Sequence, residues 1–187
     1  LAALADLGAA SLCGIDVEDD AVAAGTFLLQ ELGHGKLGKI HQGSMWQPVI
    51  GRRFDLIAAH LPHFAMEDHE VPGRHTTWSA GGPNGRRLLD PFLHGLSGHL
   101  AEGGRAIITH NGFVGLDASQ AIAAEYGLSL QVVATVLVSI PPEKLALMTP
   151  QILLAEKGKS VHRYGPYTFA DMHVVEIAGK GQVSNDA

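Results

Sequence analysis

The sequence predicts an α/β fold built on a mostly parallel sheet. Short apolar or β-branched runs alternate with segments whose apolar residues recur at helical spacing, and βαβ units require that alternation. Two of the runs, ending at Asp16 and at Ala59, also lead into polar or proline-stiffened loops, the place where ligands of open α/β sheets bind. A chain of 187 residues lies in the single-domain range and can bury a real core, so residues 1–187 are expected to form one domain.

In order, Leu1–Leu7 reads as the end of an Ala/Leu-rich helix, and Gly8 follows it as a C-cap residue. Ser11–Val17 reads as a short strand closing on Asp16 and Val17. Glu18, Asp19 and Asp20 favour the start of a helix, where acids meet the positive end of the dipole. Ala21, Val22, Ala24, Phe27, Leu28, Leu29 and Leu32 continue that helix until Gly33. A strand is expected around Lys39–His41, followed by the loop Gln42-Gly43-Ser44-Met45-Trp46. Phe54–Ala59 is nearly all apolar and reads as a buried parallel strand. After a Gly-rich loop, Trp78–Gly85, comes a helix carrying Leu88, Leu89, Phe92, Leu93, Leu96 and Leu100. Gly103-Gly104 turns into the strand ending at Thr109, and Asp117–Gln120 has capping-box spacing for a helix running to Tyr126 and Gly127. Leu128–Ile140 and Met172–Ile177 supply the last strands, and 141–169 reads as an irregular insert before the final one.

The run Phe54–Phe64, with His60-Leu61-Pro62-His63-Phe64 at its end, resembles motif IV of class I S-adenosylmethionine methyltransferases, whose amino-methylating members read Asn or Asp, Pro, Pro, Tyr or Phe. Here His60 stands at the Asn/Asp position and Leu61 at the first Pro. Pro62 fixes its own φ and steers Leu61 away from the α region, which stiffens the loop. The Gly81-Gly82-Pro83-Asn84-Gly85 segment, placed between this motif and the next helix, is similar to the release-factor glutamine methyltransferase-like group. The resemblance implies a Rossmann-like class I methyltransferase fold with helices on both faces of the sheet and an antiparallel final strand.

It further implies S-adenosyl-L-methionine as cofactor. Asp16 would accept hydrogen bonds from the ribose diol, with Val17 beside it; the other reading of Asp16 is that it opens the turn before the helix. Ser44, Met45 and Trp46 would flank the adenine, although the acid usual at that motif is absent. His60 would border cofactor and acceptor, as orienter or general base, because an imidazole titrates near neutral pH. With Pro62 it is the catalytic candidate, and His63 and Phe64 would bind the substrate. The expected activity is methyl transfer to a nitrogen or other nucleophile of a protein side chain or small molecule. A catalytically degenerate binding or scaffold domain is the alternative, and a nucleotide-binding domain using Asp16 on a different ribose is a third reading.

The family's first strand and its acidic Gly-x-Gly turn have no counterpart upstream of Leu1, so the chain is expected to be N-terminally incomplete or degenerate. A net charge of -6 without a basic cluster argues against a nucleic-acid surface. No segment is apolar enough to span a membrane, and the single cysteine, Cys13, fits a reducing, cytoplasmic setting. His60, His63, His69 and His75 cluster near the motif, but their spacing matches no compact zinc signature, so no metal is expected.

Overall fold

A computed structural model describes residues 1–69 and 79–180. The sequence expectations for His75 and Trp78 fall outside the described residues. The chain divides into two units, Leu1–Arg52 and Arg53–Ala187.

The first unit contains α1 (Ala2–Asp6), β1 (Leu12–Asp16), α2 (Asp19–Glu31) and β2 (Gly38–Gln42). β1 and β2 pair in parallel from Leu12↔Gly38 to Asp16↔Gln42. The Gly43 N–H donates to the Asp16 carbonyl at 2.9 Å, which ties the two strand ends together. Asp19 and Asp20 occupy the first turn of α2, as the charge pattern predicts. Of the apolar stripe on α2, Leu29 is buried, whereas Phe27, Leu28 and Leu32 are exposed. A sheet of two five-residue strands is too narrow to cover a helix of 13 residues.

The second unit contains β3 (Phe54–Ala59), α3 (Leu89–His99), β4 (Leu100–Asn111), α4 (Leu116–Glu125), β5 (Leu128–Ile140), α5 (Pro142–Leu145), α6 (Pro150–Glu156), β6 (Val161–Tyr164) and β7 (Tyr167–Gly179). Its sheet runs β3-β4-β7-β5, with β6 on β7. β3 is parallel to β4, and β7 is antiparallel to β4, β5 and β6. Four strands therefore point one way and only the last runs back, as expected. Leu89, Leu93 and Leu96 of α3 join Ile108, Val175 and Ile177 among the least exposed side chains. Burying such residues removes the most apolar area from water and is the main force holding the unit together.

Three local expectations change. β3 is an edge strand in this sheet, paired only with β4 among the described residues, so Leu56 and Ala58 are exposed rather than buried. The Asp117–Gln120 capping box does not form. Gly115, with φ +79, takes the N-cap position of α4 and Asp117 sits inside the first turn, so no side chain caps the helix. The final strand extends well beyond Met172–Ile177 because β5 and β6 both pair with its N-terminal half. The stretch 141–169 holds α5, α6 and β6, and the Thr149 N–H donates to the Ala65 carbonyl at 2.8 Å.

The Gly-rich loop is held against the chain after β3 by close backbone approach. A Cβ on Gly81 would lie 2.7 Å from His63 Cα, and one on Gly85 (φ +76) would lie 2.4 Å from Val114 Cγ1 and 2.8 Å from the His63 carbonyl. Gly103 has a similar φ, +74, with nothing within 4 Å of its missing Cβ. The pair separates conformational strain from steric exclusion. Gly103→Ala should cost about 1 kcal/mol, from the left-handed conformation alone. Gly85→Ala should cost about 1–3 kcal/mol more, since Val114 or the His63 backbone must move. Urea unfolding of both variants measures the difference, and equal losses would show that the loop yields without cost.

Candidate functional site

A parallel strand delivers the residue after its last pair to the carboxyl edge of the sheet. β3 ends with Ala59 opposite Ile108, so the following residues, His60 and Thr109, lie side by side. His60 Nδ1 and Thr109 Oγ1 are 2.6 Å apart, a hydrogen bond that fixes the ring of an otherwise exposed histidine. Beyond it the chain turns inward, and His63 and Phe64 are buried.

His60, Pro62, His63 and Phe64 all line one cavity of about 200 Å³, with Ser79, Asn111, Phe113, Ile140, Lys144 and Met172 among its other walls. The Phe64 and Phe113 rings meet edge-on at 5.3 Å, a favoured aromatic geometry. Lys144 Nζ donates to Ser79 Oγ at 2.7 Å and stands 4.5 Å from the Phe64 ring centroid. The cavity thus combines an aromatic wall, one ammonium and two imidazoles in a volume suited to a side chain or a small molecule.

The His63 tautomer follows from its partner. The Leu61 carbonyl can only accept, so the proton sits on Nδ1 and Nε2 keeps its lone pair. Nε2 is buried without a hydrogen-bond partner among the described residues. Burial lowers the pKa of this imidazole, outweighing the Leu61 hydrogen bond that favours the cation, and His60 and Lys144 push the same way as burial. The ring is therefore neutral at pH 7 and carries a desolvated acceptor nitrogen. The rings of His60 and His63 meet edge-on at 5.9 Å.

Behind the cavity lies a polar chain that sequence reasoning missed. His110 is fully buried on β4, its Nδ1 3.0 Å from the Asn111 carbonyl and its Nε2 2.9 Å from Ser119 Oγ. Nδ1 must donate to the carbonyl, so Nε2 accepts from the Ser119 hydroxyl. The same hydroxyl oxygen accepts from Arg86 Nη1 at 3.2 Å. Arg86 Nη1 also donates to the carbonyls of Val114 (2.6 Å) and Gly115 (3.0 Å), while Nη2 pairs with Asp90 at 2.6 Å. The signal was present in Thr109-His110-Asn111, a polar run at the end of an apolar strand. Asn111, which lines the cavity and donates to the His63 carbonyl at 3.4 Å, belongs to it.

The other sequence candidates lie in the first unit. Asp16 is exposed at the carboxyl end of β1, and its Oδ1 accepts from the Glu18 N–H at 2.9 Å, so the turn-opening reading is realised. That bond leaves the other carboxylate oxygen of Asp16 with no recorded partner among the described residues. Val17 and Ser44 are exposed, and Met45 and Trp46 are half-buried in the loop after β2. Met45 has φ 53, the left-handed region. The Gly43–Asp16 bond brings these residues to the same end of the two-stranded sheet. Among the described residues, no three His, Cys, Asp or Glu side chains are grouped to hold a metal ion, and no helix is long and apolar enough to cross a membrane.

Burial sets the acid response of the polar chain. Desolvation, reinforced by His63, lowers the His110 pKa from 6.5 to about 4. Between these values the unfolded chain binds a proton that the folded chain excludes, so stability falls as pH drops through that window. One such group removes up to about 2 kcal/mol between pH 6.5 and 5, and His63 acts in the same direction. Urea midpoints at about pH 7 and pH 5 measure the loss. His110→Gln should flatten the slope, and an unchanged slope would mean that His110 is not buried neutral.

No protein-family model matches the sequence, and no curated protein matches it. Solved structures do match. The YcgJ protein of Bacillus subtilis aligns with a TM-score of 0.57 at 14% identity over 91% of this chain and 82% of its own. A Galdieria sulphuraria protein, provisionally described as a sarcosine dimethylglycine methyltransferase, aligns with a TM-score of 0.52 at 11% identity over 90% and 69%. The E. cuniculi Mtq2–Trm112 complex, described as responsible for methylation of the eRF1 termination factor, aligns at 0.49 with 13% identity over 95% and 90%, too distant to carry an argument. Together with the strand order and the reversed last strand, these likenesses establish that the chain has the Rossmann-like fold of class I methyltransferases.

Proposed function

We propose that the protein is an S-adenosylmethionine-dependent methyltransferase acting on a nitrogen, or another nucleophile, of a protein side chain or small molecule. The observation that carries this reading is the placement of His60, Pro62, His63 and Phe64, all from the motif-like run after β3, on one cavity. When bound, the cofactor supplies an electrophilic methyl on a sulfonium, and in-line displacement asks the protein chiefly to position the nucleophile.

The residues do this in distinct ways. Phe64 and Phe113 supply flat apolar walls that restrict the acceptor's orientation. His63, neutral and with its Nε2 lone pair unpartnered among the described residues, suits acceptance of an acceptor N–H, which leaves the nitrogen lone pair directed away from that bond. His60, held by Thr109, is the exposed imidazole on the same cavity and takes the proton released on methylation. Pro62 stiffens the intervening turn. For the cofactor, Asp16 fits the ribose end: its carboxylate is exposed at a strand's carboxyl end, and one oxygen holds the local turn while the other has no recorded partner. Val17 would sit beside the ribose, and Ser44, Met45 and Trp46 would flank the adenine. We place the activity in the cytoplasm, which the single cysteine suits.

Calorimetric titration of the protein with S-adenosylmethionine and with S-adenosylhomocysteine tests the cofactor. Binding in the micromolar range, about -8 kcal/mol, is expected, and Asp16→Ala should weaken it about tenfold or more without loss of circular-dichroism signal. No binding of either compound would favour a domain that has lost catalysis and serves as a binding scaffold. For the acceptor side, methyl-labelled cofactor is incubated with protein and small-molecule fractions of a cell extract. His60→Ala should cut label transfer about 100-fold or more while leaving cofactor affinity unchanged; transfer at the wild-type rate would remove His60 from the mechanism.

A further inference from the structure

Asn111 closes β4 opposite Met172 and lines the cavity, 8% exposed. Its backbone is held from two sides, by the pairing with β7 and by His110 Nδ1, which donates to its carbonyl at 3.0 Å. Its side-chain nitrogen donates to the His63 carbonyl. A carbonyl only accepts, so the carboxamide nitrogen faces His63 and Oδ1 faces away. Oδ1 has no recorded partner among the described residues and is not among the buried polar atoms closed off without one, so it opens on the cavity. A half-satisfied carboxamide in a buried wall is an exception that calls for a partner.

His63 Nε2, in the same lining, is likewise an acceptor without a recorded partner among the described residues. The two side chains are kept together because Asn111 bonds to the His63 backbone. Two acceptors, with no carboxylate in the described lining, suit a group that carries hydrogens but no positive charge, since a buried ammonium needs a counter-charge. We propose that Asn111 binds the methyl acceptor: Oδ1 takes a hydrogen bond from an uncharged N–H group and selects it over an ammonium or a group without N–H. The inference rests on the acceptor site proposed for this cavity. A carboxamide oxygen accepts a hydrogen bond but not a proton at neutral pH, so Asn111 orients the nitrogen and leaves proton removal to His60.

Three probes that match the aromatic wall test this: benzamide, its near-isostere acetophenone, in which a methyl replaces the NH2 group, and benzylamine, an ammonium at pH 7. Each is titrated to about 10 mM into the full chain without cofactor and followed by NMR, with Overhauser contacts to Phe64 and Phe113 placing the probe. Benzamide should bind about tenfold more tightly than either of the others. Asn111→Leu should abolish the preference over acetophenone, and Asn111→Asp, whose carboxylate adds a negative charge, should favour benzylamine over benzamide. Circular dichroism checks that both variants fold; if neither does, the wild-type comparison alone decides. Acetophenone or benzylamine binding as tightly as benzamide, no binding of benzamide, or a folded Asn111→Leu that keeps the preference would overturn the proposal. Because no cofactor is present, such a failure leaves the methyltransferase reading to stand or fall by its own titration with S-adenosylmethionine.

Discussion

The buried hydrogen-bond chain from Arg86 through Ser119 to His110 is the constraint on which the site in the second unit depends. It joins the residue after the Gly-rich loop to the start of α4, 33 residues on, and to the carboxyl end of β4. Arg86 follows Gly85 directly, so fixing its guanidinium fixes the loop that touches the His63 backbone. A buried guanidinium is tolerable only when its protons and charge are compensated, and here Val114, Gly115 and Ser119 accept from Nη1 while Asp90 forms an ion pair with Nη2. Such a network is costly when half satisfied, so it favours a single arrangement of the walls around the cavity.

That rigidity has an electrostatic consequence. His110 is held neutral by burial, and His63 is pushed toward neutrality for the same reason. Two uncharged imidazoles, His63 in the wall and His110 next to the wall residue Asn111, thus accompany a cavity whose cation, Lys144, comes from the short helix α5. The stretch 141–169, the least regular part of the sequence, contributes to the described lining of the site through that one side chain. Its selectivity would come from placing charge beside an aromatic wall rather than from further carboxylates, since the described lining contains none.

The edge of the sheet shows a different balance. β7 gains partners on both sides and buries Val175 and Ile177, whereas β5 pairs on one side only and leaves Val133, Val136, Leu137 and Val138 exposed. The same β-branched composition suits both strands, and position in the sheet decides which of them is core.

By itself the sequence determined the α/β class and the positions of most strands and helices, and it pointed to the run after Ala59, whose residues line the cavity. Those properties rest on local periodicity and on proline and glycine chemistry, which act within a few residues. Leu128–Ile140 is a strand over the very residues its β-branched pattern marks. Only the tertiary structure decided that Phe54–Ala59 lies at an edge, that Gly115 rather than Asp117 starts α4, and that Thr109, Asn111 and Lys144 join His60 and His63. Each of these depends on partners tens of residues away, and periodicity carries no information about which long-range pairing satisfies a buried polar group.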